Sequence, residues 1–130
     1  MNNNPVFVAG PRTWQAQVSV ANTARDGSGT LVNLLTGGTN GTRIDRIVVK
    51  ATATNLAGTI RFFMYDGTNT WLWLEIAVPA VTASASVPAQ SVELVRTDNF
   101  PLTDLPANWI LKVSTEKAET WNAQAYGGDL

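Results

Sequence analysis

The carboxylates Asp45, Asp66, Glu75, Glu93, Asp98, Asp104, Glu116, Glu119 and Asp129 are the side chains of this sequence best able to do chemistry. Two carboxyl groups flanking a glycosidic bond suffice for hydrolysis. Most of these acids fall on turns or on the polar faces of alternating segments, where solvation accounts for them. A calcium loop needs several oxygens in close succession; Asp98 to Asp104 comes nearest and is sparse. The chain has no histidine and no cysteine. That removes the commonest general base, the commonest metal ligand and every thiolate. Serine or cysteine nucleophiles working with a histidine base are excluded with them. Gly37-Gly38-Thr39-Asn40-Gly41 is rich in glycine, but no helix follows it, so it reads as a hairpin turn and not as a phosphate cradle. The expectation is a protein that is not an enzyme, with no catalytic residue, metal or cofactor.

The tryptophans offer a different chemistry. Within Thr70–Val78, strict alternation puts Trp71, Trp73 and Glu75 on one face and Leu72, Leu74, Ile76 and Val78 on the other. With the aliphatic face in the core, the indoles join Phe63, Tyr65 and Arg61 of the preceding segment on an outer face. Three readings of that face stand: a second core layer, a protein interface, or a stacking platform for sugars. Arg43, Arg46 and Lys50, with Arg61, are expected to form a small positive patch on a solvated sheet, and not a nucleic-acid site.

These residues need strands to position them. Arg43–Thr54 alternates with period two, Ile47, Val49, Ala51 and Ala53 on one side and Arg46, Lys50, Thr52 and Thr54 on the other, the mark of a sheet buried on one face. Thr59–Asp66 and Thr70–Val78 flank Asp66-Gly67-Thr68-Asn69 and read as a hairpin. Asp26-Gly27 and Asn40-Gly41 are turn dipeptides of the same kind. Further strands are expected at Trp14–Val20, Thr30–Leu35, Gln90–Arg96, Trp109–Thr115 and Thr120–Tyr126. No segment carries the pattern of a long helix; Asn22–Gly29 and Thr115–Glu119 could each hold one helical turn. Pro79–Pro88 is fenced by prolines, which cannot donate to a ladder, and reads as an extended crossover. The fold class is all-β: an antiparallel, jelly-roll-like β-sandwich of about eight short strands. One domain is expected over 1–130, with 1–12 as an extended N-terminal arm.

Composition narrows the class further. Of 130 residues 45% are hydrophobic and 15% charged, low against the roughly 25% charged of ordinary soluble domains. Such a chain has apolar surface to hide against copies of itself or a partner. Its net charge of −1 draws it to neither nucleic acid nor an anionic membrane. The start lacks a signal-peptide pattern and no run is long enough to span a membrane.

Several stretches resemble a group of small virion-associated proteins of tailed bacteriophages and prophages. They are Asn40-Gly41-Thr42-Arg43-Ile44-Asp45-Arg46-Ile47, Gly58-Thr59-Ile60-Arg61-Phe62-Phe63-Met64-Tyr65-Asp66-Gly67 and Glu75-Ile76-Ala77-Val78-Pro79-Ala80-Val81. Leu111-Lys112-Val113-Ser114-Thr115, Ala118-Glu119-Thr120-Trp121-Asn122 and Ala125-Tyr126-Gly127-Gly128-Asp129-Leu130 continue the likeness. The resemblance runs from about Thr30 onward and includes no catalytic motif. It implies a β-sandwich component of the particle that decorates the head shell, often as a trimer, or belongs to the neck or tail. The implied partners are the chain itself, trimer favoured, and the major capsid or other virion proteins. The implied location is the virion, after synthesis in the bacterial host cytoplasm. Contacts are expected from Asn2, Asn3, Asn4, Pro5, Val6 and Phe7 of the arm, from Phe63, Tyr65, Trp71 and Trp73, and from Pro79, Val81, Val87 and Pro88 of the crossover.

Overall fold

The computed structural model describes residues 10–96 and 104–130. They form eight strands: β1 (Gly10–Val18), β2 (Val32–Thr36), β3 (Thr42–Ala51), β4 (Gly58–Tyr65), β5 (Thr70–Val78), β6 (Ser91–Val95), β7 (Ile110–Thr115) and β8 (Trp121–Asp129). Every strand expected from the alternation is present, and Asn22–Gly29 and Thr115–Glu119, which had room for at most one helical turn each, contain none. The arm expected over 1–12 loses its last three residues to β1, because Gly10, Pro11 and Arg12 pair with Asp129, Gly128 and Gly127.

The strands make two four-stranded antiparallel sheets, ordered β1-β8-β3-β6 and β2-β7-β4-β5. Successive strands alternate between the sheets, with β4–β5 the one exception, so the fold is a jelly-roll sandwich. Apolar faces meet between the sheets. Val18, Ile44, Ile47, Val49, Trp121, Ala123 and Ala125 from the first pack against Leu35, Ile60, Phe62, Leu111 and Val113 from the second. Fully burying a Val, Ile, Leu or Phe side chain contributes about 1.5–3 kcal/mol, so the nine of these types named here dominate the favourable side of folding.

Turn chemistry explains one reversal and misleads on two. Asp66-Gly67 closes the only hairpin among the described residues; Gly67 takes a φ of 104°, and the Asp66 carboxylate accepts from the Thr68 and Asn69 amides. Asn40-Gly41 and Asp26-Gly27 were expected to close hairpins as well. They instead lie in connections that pass from one sheet to the other. Gly41 and Gly27 do have positive φ, 92° and 88°. The dipeptides therefore supply the reversal their backbone permits, while the pairing is decided by which faces must be buried.

Three bulges interrupt the alternation. In β3, Ile44 pairs with Gly127 and Arg46 with Tyr126, leaving Asp45 extra; Ile44 and Ile47, three apart, both point into the core. A shift between Asn33 and Leu35 in β2 buries Leu34 and Leu35 together. The third bulge, in the β4–β5 hairpin, sets the candidate site. Ala53, expected inside, is exposed beyond the end of β3.

Candidate functional site

The outer face of the β2-β7-β4-β5 sheet was expected to carry the aromatics. Its backbone register forbids that arrangement. Phe62 pairs with Leu74 and Phe63 with Leu72, so Trp73 is the extra residue. Beyond that point the parity of β5 reverses: Leu72 joins Phe63 on the outer side and Trp71 falls opposite Met64. Trp73 and Met64 pack against the core as half-buried residues. The shared tryptophan platform is not formed.

Phe63 is fully buried, although it lies outside the central core. The connection 19–31 crosses this face. Ala21 bridges to Thr115 at the end of β7, Arg25 reaches Glu75 on β5 at 2.8 Å, and Gly27 sits against Thr70. Asn22 stiffens the crossing: its side-chain amide donates to the Ser28 and Thr30 carbonyls and its oxygen accepts from the Ala24 amide. Under this cover Arg61 is 3% exposed. Its Nε lies 3.7 Å from Glu75. Of the three readings of this face, the second core layer describes Phe63 and Arg61. The expected positive patch also dissolves, because Arg61 belongs to the second sheet and Arg43, Arg46 and Lys50 to the first.

Tyr65 stays half-buried, its hydroxyl donating to the Gly67 carbonyl and its ring 4.1 Å from Lys112 Nζ. Trp71 is 46% exposed and stacks on Trp109 at 5.4 Å between ring centres. Trp71 is thus the one member of the expected aromatic face that offers a large apolar surface.

The crossover behaves differently from the aromatics. Connections 19–31, 52–57, 79–90 and 116–120 share one end of the sandwich. Asn55 and Val81 exchange backbone hydrogen bonds, the Asn55 amide donates to the Pro79 carbonyl, and the Leu56 amide donates to the Glu119 carboxylate. Pro79, Val87 and Pro88 are exposed, and Val81 is half-buried. Beside them stand two residues that sequence reasoning missed, Leu56 at 62% and Val20 at 52% exposure. Leu56 lies outside any alternating run, so no parity assigned it a face, and its only signal was a large apolar residue inside a turn-rich segment. Val20 ends the Trp14–Val20 alternation, which places it inside with Trp14 and Val18, but β1 stops at Val18 and leaves it exposed. Asn2, Asn3, Asn4, Pro5, Val6 and Phe7 lie outside the described residues, as does Asp98.

The acids are mostly engaged in ion pairs: Asp129 with Arg12, Asp45 with Arg43, Glu93 with Arg46, Asp104 with Arg96 and Glu75 with Arg25. The hydrogen bond from Arg25, and then its charge and that of Arg61, hold the Glu75 carboxyl below its usual range. Backbone amides of Asn69 and Thr68 do the same for Asp66. Among the described residues no cluster of three acids is placed to hold a metal ion.

Neither a protein-family profile nor a curated protein matches the chain. Among solved structures, one of infectious bursal disease virus, Gt strain, overlays with a TM-score of 0.36 and 14% identity over 95% of this chain. The chain spans 30% of that neighbour's length. At that score the likeness carries no argument about function.

Proposed function

We propose that this protein is a structural component of a tailed-phage particle, a decoration protein that binds the head shell as a homo-oligomer, with the trimer favoured. A position in the neck or tail is the nearest alternative. The protein carries out no reaction; it adds contacts to a shell already assembled and so resists pressure from within. The observation that carries this reading is where its exposed apolar side chains lie. Three of the five large apolar side chains exposed among the described residues, Val20, Leu56 and Val87 at 52%, 62% and 45%, lie on connections at one end of the sandwich. Those loops are hydrogen-bonded to one another, so the apolar end is presented already ordered, which lowers the entropy lost on docking. The sequence resemblance to small phage virion proteins supports the same reading.

The test has two parts. Light scattering on the purified protein should give a mass above that of one chain, a trimer in the favoured case. The protein should also co-sediment with phage heads stripped of their accessory proteins, and Leu56→Asp with Val87→Asp should abolish that without unfolding the sandwich. A monomer that binds neither heads nor tails would overturn the proposal.

A further inference from the structure

A second self-contact follows from the four sheet edges, each uncovered by any strand among the described residues. A regular, uncharged edge strand is a template for another strand, and proteins normally blunt it by shortening, bulging or charging it. Three of the edges here are blunted. β2 has five residues and a register shift. β6 has five residues, and its middle residue Glu93 is paired with Arg46. β5 is long, but Trp73 is inserted into it as a bulge and it carries Glu75. β1 is blunted by none of these devices over most of its length. Its nine residues pair with β8 in nine unbroken steps, and Thr13–Val18 contains no charge and no proline. Among the described residues no strand occupies its other side.

We propose that β1 pairs with β1 of a second copy of this chain, antiparallel, about a two-fold axis at Gln15. The choice of a second copy rests on self-complementarity, which an isologous contact requires. With Gln15 on the axis, Thr13 faces Gln17 of the partner subunit and Trp14 faces Ala16 of the partner subunit. The bulky indole therefore lies beside the smallest side chain of the strand. Arg12 comes opposite Val18 of the partner subunit, far from its own mate, so no like charges meet. An axis at Trp14 would instead set two indoles side by side.

The solvent face of β1 is suited to the same axis. Gln15 and Gln17 stand beside Gln124 and Asn122 on β8 and form a two-by-two block of neutral amides around a shallow depression. Gln17 donates to Asn122 at 2.9 Å, and Tyr126 donates to Gln124. Gln15 alone of the four makes no side-chain hydrogen bond to a described residue, and it is the residue on the axis. Pairing makes one eight-stranded sheet of the two four-stranded ones and continues the amide block across the joint. The contact does not rest on the virion reading: in a trimeric decoration protein it links one trimer to the next, and in any other setting it makes a dimer.

The chain has no cysteine, which permits a clean test on the purified protein. Facing residues of an antiparallel pair hold their Cβ atoms about 4.5–5.5 Å apart, close to the span of a disulfide. Gln15→Cys should cross-link to itself under mild oxidation and run as a dimer without reductant. Thr13→Cys and Gln17→Cys should cross-link poorly alone and well when mixed. Ser91→Cys, on the β6 edge, should stay single. Gln15→Lys, which places two ammonium groups on the axis, should lower the mass seen by light scattering while its circular dichroism stays that of the parent. A folded Gln15→Cys protein that does not cross-link, or a Ser91→Cys protein that cross-links as readily, would overturn the pairing. A cross-link with no binding to phage particles would support the pairing and count against the proposed function alone.

Discussion

Phe63 stands opposite Leu72 across the β4–β5 hairpin, with Trp73 left over between that pair and Phe62–Leu74. This one inserted residue decides the faces of the two β5 tryptophans. It turns Trp73 toward the core and leaves Trp71 at the rim against Trp109, while Phe63 keeps the outer face that the regular β4–β7 register gives it and lies under the 19–31 connection.

Truncating these rings should therefore separate them by cost. Phe63→Ala removes a fully buried ring and should cost about 3–5 kcal/mol. Trp71→Ala removes a half-exposed ring and one stacking contact, and should cost about 1 kcal/mol. Urea denaturation of both variants checks this; equal costs would contradict the assignment of Phe63 to a covered layer.

Gly127 should tolerate no side chain. A Cβ there would lie 1.8 Å from the Arg43 carbonyl oxygen, where the Asp45 bulge pushes β3 toward β8. Gly127→Ala has to spread the two central strands of the first sheet, an overpacking cost of about 1–3 kcal/mol or more. Gly67→Ala meets no neighbouring atom and carries only the strain of its positive φ, so the larger fall in melting temperature should belong to Gly127→Ala.

Asn22 holds the covering connection in shape through three side-chain hydrogen bonds. Asn22→Ala strands two backbone carbonyls and an amide, a loss of about 1–3 kcal/mol. The expected signature is faster hydrogen exchange at amides of 19–31, with protection in β3 and β8 unchanged.

Acid should loosen the same cover. Glu75 has its carboxyl depressed chiefly by the hydrogen bond from Arg25. A depressed acid stabilises the fold above its unfolded value, and that contribution is lost as pH falls through the folded value. Melting temperature should thus decline as pH drops below about 4.3, and Glu75→Gln should flatten part of that decline. Asp66, depressed by the Asn69 and Thr68 amides, contributes with the same sign, so the Glu75→Gln profile should keep a residual slope.

The strands were legible in the sequence because alternation reports burial on one face, and β3 and the β4–β5 hairpin carry it over most of their length. What alternation cannot report is parity across an inserted residue. Ile44 and Ile47, or Leu72 and Trp73, are placed correctly only once the bulges are known. Pairing partners were equally hidden: Asn40-Gly41 has the same local chemistry as Asp66-Gly67, yet one changes sheets and the other closes a hairpin. The apolar loop end escaped for related reasons: Leu56 sits where no period exists to place it, and the Trp14–Val20 alternation outlasts β1, which ends at Val18 and leaves Val20 exposed.

The alternation of strands between sheets also sets the order in which the molecule can assemble. Apart from β4 with β5, each strand pairs with a strand distant in sequence, and the Arg12–Asp129 ion pair joins residues 117 positions apart. Closing such long loops costs entropy before any contact repays it, and topologies of this kind fold slowly. A ribosome releasing this chain would hold β1 unpaired until β8 emerges, because β8 lies between β1 and β3. The one early foothold is the β4–β5 hairpin with its Asp66-Gly67 turn, from which the remaining ladders would grow outward through β7.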